Sequence, residues 1–212
     1  MDQRFRDFDD IVTDMADVRA RIRAPLPAIE HKVLDHIDSL CRDFIEASPF
    51  VVMASRSSGG WLDVSPKGDP AGFVRVLDEH HLAIPDRPGN RRLDTFQNLL
   101  ANPQLALIFL VPGKGETLRV SGEARIVRDA ALRESMAVKG RAPEFATVVY
   151  VERAFMHCPK CVMRSGLWKP ETWGDANRVA DIGTAMIEHA GLSDTPEEWF
   201  EKIEADGGLD MY

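Results

Sequence analysis

The sequence predicts a mainly β fold, an antiparallel β-barrel with flanking helices. Three observations lead there. Residues 50–128 form a dense series of short apolar segments bounded by turn residues. Leu105–Val111 is apolar almost throughout, as a central strand would be. Only one helical pattern, Arg91–Ala101, interrupts the series. A parallel sheet would need a crossover helix between successive strands.

The elements follow in order. Residues 1–24 mix Arg and Asp, and Phe5, Phe8, Ile11, Val12 and Met15 are spaced as one helical stripe. Pro25 and Pro27 break it. From Ile29 onward, Val33, Leu34, Ile37, Leu40, Cys41, Phe44 and Ile45 recur at helical spacing until Pro49. That helix would lie across the barrel with Cys41 buried and inert. Phe50–Ser55 reads as a strand, Ser57–Gly60 as a turn and Trp61–Ser65 as an alternating strand. Lys67 in SPKGD would sit at the tip of the next turn. Phe73–Leu77 and His81–Ile84 are further strands, the second stopped by Pro85. Asn90 is placed to cap a helix over 91–101 with Leu93, Phe96, Leu99 and Leu100 inward. Leu118–Val127 is a long strand in which Gly122 marks a bulge. A short helix over Ala130–Val138 precedes the closing strand Phe145–Val151, and residues 154–168 form a turn or short helix. Two amphipathic helices end the chain, one carrying Val179, Ile182, Met186 and Ile187, the other Trp199, Phe200 and Ile203. Their apolar faces need a surface, either the barrel or a second subunit.

The 212 residues suit one domain with extensions. The boundaries expected are an N-terminal helical extension over 1–48, a core over 49–168 and an acidic helical extension over 169–212. The net charge of −8 is a property of the end of the chain: residues 170–212 carry eleven acids and two bases, and the rest is near neutral. That distribution argues against nucleic-acid binding through the acidic segment. Three cysteines do not make a disulfide scaffold. No apolar run reaches membrane length, and MDQRFRDFDD has no signal-peptide core. A cytoplasmic protein is expected.

Arg91 and Arg92 carry the sharpest chemical signal. In the first turn of a helix two cations oppose the macrodipole, and Asp94 offsets only part of that. A bound anion would resolve the conflict through free N–H groups and two guanidiniums. The other reading is surface arginines paired with Asp86 or Asp94. Lys67 and Lys114 read as turn lysines; PGKGE is not a phosphate-binding P-loop, and SSGG is not a dinucleotide fingerprint. His157, Cys158 and Cys161 supply three potential ligands where a structural zinc takes four, so no metal is expected. No Ser-His-Asp or paired-carboxylate arrangement identifies a catalytic acid or base, and His157 is only a remote candidate.

Taken together, SPKGD, LAIPDRPGNRR, NLLANP, FLVPG, GETLRVSGEA and HCPKC resemble the pyridoxamine 5'-phosphate oxidase-like flavoproteins, over about residues 30–170. The nearest likeness is to an uncharacterised subgroup. The resemblance implies an FMN-binding split β-barrel and a homodimer with FMN in two clefts at the subunit interface. It implies that Ser65 runs beside the isoalloxazine through its main chain. Asn90, Arg91 and Arg92 would approach the phosphate, with Lys67 assisting. Thr117 and Arg119 would line the cleft from the neighbouring subunit. Arg164 and Trp168 match late positions near cofactor or substrate in the vitamin B6 oxidases, although the full C-terminal signature of those enzymes is missing. The expected activity is an FMN-dependent oxidation or reduction of a small organic molecule; the alternative is a cofactor carrier without turnover.

Overall fold

The computed structural model describes residues 3–212, so Met1 and Asp2 of the expected N-terminal extension lie outside the described residues. The chain divides into two compact units, Met1–Val33 and Leu34–Tyr212. In the first, the expected stripe is not one helix. Gln3–Phe5 is a 3-10 turn, and α1 covers only Met15–Arg21. The aspartates between them favour turns: Asp10 takes a left-handed φ of 55°. Asp14 caps α1 by accepting from the N–H groups of Ala16 and Asp17. A second short helix, α2, covers Pro27–His31.

The second unit is built on one seven-stranded sheet. Its strands are β1 (Phe50–Arg56), β2 (Leu62–Gly68), β3 (Arg75–Val76), β4 (His81–Pro85), β5 (Gln104–Leu110), β6 (Thr117–Val127) and β7 (Ala146–His157). They lie in the order β2-β1-β5-β6-β7-β4-β3, and every neighbouring pair is antiparallel. The expected barrel is therefore corrected to an open sheet with flanking helices, because β2 and β3 are both edges and do not pair. The physical reasons are local. β3 is only two residues long, and Pro66 removes a ladder donor from β2.

Helix α3 (Ser39–Ala47) packs its buried Cys41 and Ile45 on the sheet and is capped by Asp38, which accepts from the Cys41 N–H at 2.8 Å. The helical pattern that starts at Ile29 does not run unbroken into it. Leu34 instead exchanges backbone hydrogen bonds of 2.9 and 2.8 Å with Ala154 of β7, which fixes residues before α3 as extended chain. Helix α4 (Asp94–Ala101) is anchored by buried Asn98, whose amide donates to Ser55 Oγ at 3.0 Å and Asp63 Oδ2 at 2.7 Å. The core lies between these helices and one sheet face, with Met53, Leu82, Ile84, Phe109 and Leu118 almost wholly shielded. Helices α5 (Ala130–Ser135), α6 (Lys160–Ser165), α7 (Ile182–Ala190) and α8 (Pro196–Ala205) complete the unit, with α7 and α8 packed on each other at Gly183 and Phe200. Among the described residues no helix is long and apolar enough to cross a membrane.

The β6–β7 register shifts beside Gly122, but the extra residue is on the partner strand: Ser121 pairs with Arg153 and Gly122 with Val151, so Glu152 of β7 is the bulged residue and Gly122 lies opposite it. A Cβ on Gly122 would lie 1.9 Å from the Tyr150 carbonyl oxygen, which is backbone and cannot swing away. Gly122→Ala should therefore destabilise the protein by about 1–3 kcal/mol or more, read as a lower urea midpoint. Thiol titration gives a second check. Burial pushes the Cys41 thiol up to about 12, whereas Cys158 and Cys161 are exposed. Two thiols should react rapidly in the native protein, and Cys41 only after unfolding. Three equally fast thiols would contradict the placement of α3.

Candidate cofactor-binding cleft

β2 and the loop from β4 into α4 enclose a cleft of about 530 Å³, within the ~300–1,000 Å³ usual for small-molecule sites. Five of the residues singled out from the sequence line it: Ser65, Lys67, Asn90, Arg91 and Arg92. Ser65 and Lys67 alternate on one face of β2, opposite Met53 and Val51 of β1, so they share the sheet face that carries the core. Because Lys67 is paired in this ladder, it is a strand residue and not the tip of a turn. Among the described residues its side chain makes no hydrogen bond or ion pair.

The arginines are not in a helix. Arg91 and Leu93 both have φ of 58°, a left-handed conformation that costs a residue with a side chain about 1–2 kcal/mol, and α4 starts only at Asp94. Asn90 accepts from the Arg92 N–H at 3.1 Å and closes a turn instead of capping the helix. The conflict with the macrodipole therefore does not arise. Arg92 Nε donates to Asp94 Oδ2 at 2.7 Å, and Arg91 binds Asp206 through its carboxylate and its carbonyl, both at 2.6 Å. Sequence reasoning foresaw Asp94 as a partner but gave Asp206 no role in the cleft.

Two cleft residues were missed as site groups, Asp86 and Arg87. The signal was present in PDRPGNRR, where three arginines fall within residues 87–92. Arg87 Nε donates to Asp69 Oδ2 at 2.6 Å, and the side chains are only 16% and 2% exposed. Burial pushes the Asp86 carboxyl above its ordinary range, against the opposing pull of Lys67 and Arg87. The lining thus holds four cations, Lys67, Arg87, Arg91 and Arg92, against two carboxylates, Asp86 and Asp94. This donor set fits a phosphate-bearing ligand.

The remaining expected site residues lie elsewhere. Arg119 is on the other face of the sheet, in a shallow groove with Arg153 and Phe155, and its guanidinium lies 5.9 Å from the Phe155 ring. Thr117 is buried, and its hydroxyl has no hydrogen-bond partner among the described residues. Arg164 is exposed in the last turn of α6, and Trp168 Nε1 donates to the Lys114 carbonyl at 2.6 Å. β7 extends through His157, beyond the expected end at Val151, so the short helix expected within 154–168 is confined to α6. Among the described residues no three His, Cys, Asp or Glu side chains group as metal ligands.

Comparison with solved structures finds HupZ of group A Streptococcus, 20% identical with a TM-score of 0.47, the match covering 57% of this chain and 93% of that one. A candidate pyridoxamine 5'-phosphate oxidase of Lactobacillus delbrueckii is 21% identical, with a TM-score of 0.45 and coverage of 57% and 95%. HutZ, the heme storage protein of Vibrio cholerae, is 14% identical, with a TM-score of 0.40 and coverage of 57% and 94%. No curated protein matches the chain. The family model described as pyridoxamine 5'-phosphate oxidase matches residues 37–158, which include every strand of the sheet and all the residues that line the cleft, and the chain belongs to that family.

Proposed function

We propose that the chain is an FMN-binding flavoprotein that works as an FMN-dependent oxidoreductase on a small organic substrate. The observation that carries this reading is the convergence of Ser65, Lys67, Asn90, Arg91 and Arg92 on one cleft whose lining is net cationic. Lys67, Arg91 and Arg92 would hold the phosphate, the two arginines through planar forks that match paired oxygens. Arg87 adds positive field from the floor, but its guanidinium is already committed to Asp69. The β2 main chain at Ser65 would run beside the ring system. FMN supplies the hydride chemistry when bound. Asp86, half-buried with its carboxyl pushed up, is the group best placed to hold a proton in the cleft.

We further propose that the site is completed by a second copy of the chain. Arg119 and the cleft lie on opposite faces of the same sheet, so one copy cannot bring both to one ligand. The face that carries Arg119 also presents Val52, Ala54, Ala106 and Ile108, and beside them the 75%- and 65%-exposed Leu62 and Val64 of the edge strand. A twofold dimer would cover this apolar face.

Both proposals lead to measurements. Replacing Arg91 and Arg92 with Ala should weaken FMN binding about ten- to hundredfold, from the ~1.5–3 kcal/mol of a charge-assisted bond, and leave riboflavin almost unaffected. Equal losses for the two ligands would show that the arginines shape the cleft instead of reading a phosphate. Reduction of the bound flavin by NAD(P)H, with reoxidation in air, would support turnover; tight binding without any response to donors would favour the carrier reading. For assembly, sedimentation should give twice the 23.7 kDa chain mass, and Ala106→Arg should return a folded monomer. A wild-type monomer at micromolar concentration would sink the dimer.

A further inference from the structure

The segment after α8 folds back against two residues that line the cleft, Arg91 and Arg87. Arg91 Nη1 donates to the Asp206 carboxylate and Arg91 Nη2 to the Asp206 carbonyl, so one guanidinium grips one residue twice. Gly207 then turns with φ of 70°, and the Gly208 and Asp210 N–H groups close local hydrogen bonds to Ile203 and Gly207. At Tyr212 the hydroxyl donates to Asp69 Oδ1 at 2.8 Å, the carbonyl accepts from Arg141 at 2.6 Å, and the ring packs 5.7 Å from the Arg87 guanidinium and 5.1 Å from the Lys139 ammonium. Residues 206–212 therefore touch two of the four cations of the cleft, Arg91 and Arg87.

We infer that residues 206–212 form a displaceable strap in which Asp206 is the resident anionic partner of the cleft cation Arg91, so that a phosphate-bearing ligand must take Arg91 from it. This rests on the phosphate reading of the cleft. The two ends of the strap differ in strength. The Arg91–Asp206 pair is open to water, with side chains 60% and 73% exposed, and such pairs contribute little. A phosphate offers more oxygens to Arg91, and Lys67 and Arg92 line the same cleft. The Tyr212 end docks on the partly buried Asp69–Arg87 pair and is the fixed end. Ligand entry thus releases the Asp206 end while Tyr212 holds. Asp206 acts on the ligand only through Arg91 and is a positioning residue, setting how strongly the cleft discriminates against weak anions.

The test uses the full chain and Asp206→Asn, which removes the charge and keeps the shape. The variant should bind FMN about two- to fivefold more tightly than wild type, the gain expected from deleting one exposed competitor, with riboflavin unchanged. In wild type, inorganic phosphate should accelerate amide exchange at Gly208 and Asp210 relative to chloride of equal ionic strength. Equal or weaker FMN binding by the variant would overturn the inference, because Asp206 would then be presenting Arg91 to the ligand or be irrelevant to it. Unchanged exchange with phosphate would overturn it as well. If neither protein binds FMN, the flavin reading fails, and the phosphate-driven exchange still decides whether the strap yields to an anion.

Discussion

The partly buried pair between Asp69 and Arg87 is the constraint on which the rest of the cleft depends. Asp69 follows β2 and donates its own N–H to the Pro49 carbonyl; Arg87 follows β4. The Arg87 guanidinium also reaches the Met136 carbonyl at 2.9 Å, and Asp69 receives the Tyr212 hydroxyl. Four stretches remote in sequence therefore meet at one charge pair. Taking two charges even partly from water is costly, so removing one partner of such a pair destabilises more than removing one partner of an exposed pair. The pair is held by several hydrogen bonds, which is the condition under which burial of charge is tolerated. Its effect is to fix the separation of the two walls of the cleft.

Around that floor the charges are of a different kind. Arg92–Asp94 and Arg91–Asp206 are exposed pairs that contribute little to stability, and both arginines can change partner without unfolding anything. The Lys67 side chain makes no hydrogen bond or ion pair among the described residues, and its charge opposes the rise that burial imposes on Asp86. Cations bound weakly to the protein and placed over a fixed floor are available to an incoming anion. Had Arg91 and Arg92 been shielded in pairs like Arg87, the same composition would have made structure and left no binding capacity.

Much of this was legible in the sequence. The strand series, the break in strand pairing beside Gly122, the buried face of Cys41 and the cluster at 90–92 could all be read from periodicity, turn chemistry and charge, although the bulged residue itself, Glu152, is on the partner strand. The closure of the sheet could not, because it depends on whether the two end strands, remote from each other in the strand order, meet, and β3 pairs over only two residues. The start of α4 was misplaced by three residues for a related reason. Asn90 is a good cap by type, but its side chain closes a turn on Arg92 instead. The helix from Ile29 was over-extended because Leu34 trades helical bonds for a bridge to β7, a partner 120 residues away. Asp206 was invisible for the same cause: its partner Arg91 is 115 residues distant, and an exposed pair leaves no local pattern.

The left-handed residues Arg91 and Leu93 raise the question of what supports them. Each costs about 1–2 kcal/mol, and α4 has no side-chain cap to repay it locally. The support comes from the middle of the helix. Asn98 is buried and bonded to both Ser55 and Asp63, and Leu99 beside it is in the core. Those contacts fix the helix axis against β1 and β2, so the loop before it must bridge from Arg87, itself fixed by Asp69, in the few residues that remain. The strain at 91 and 93 is then the geometric consequence of two firm anchors on a short connection. It turns Arg91 out of the helical path and leaves both arginines at the mouth of the cleft. A relaxed helix beginning at Asn90 would have carried them around its first turn, where the dipole opposes positive charge. The same two anchors that organise the fold thus dictate where the cations stand.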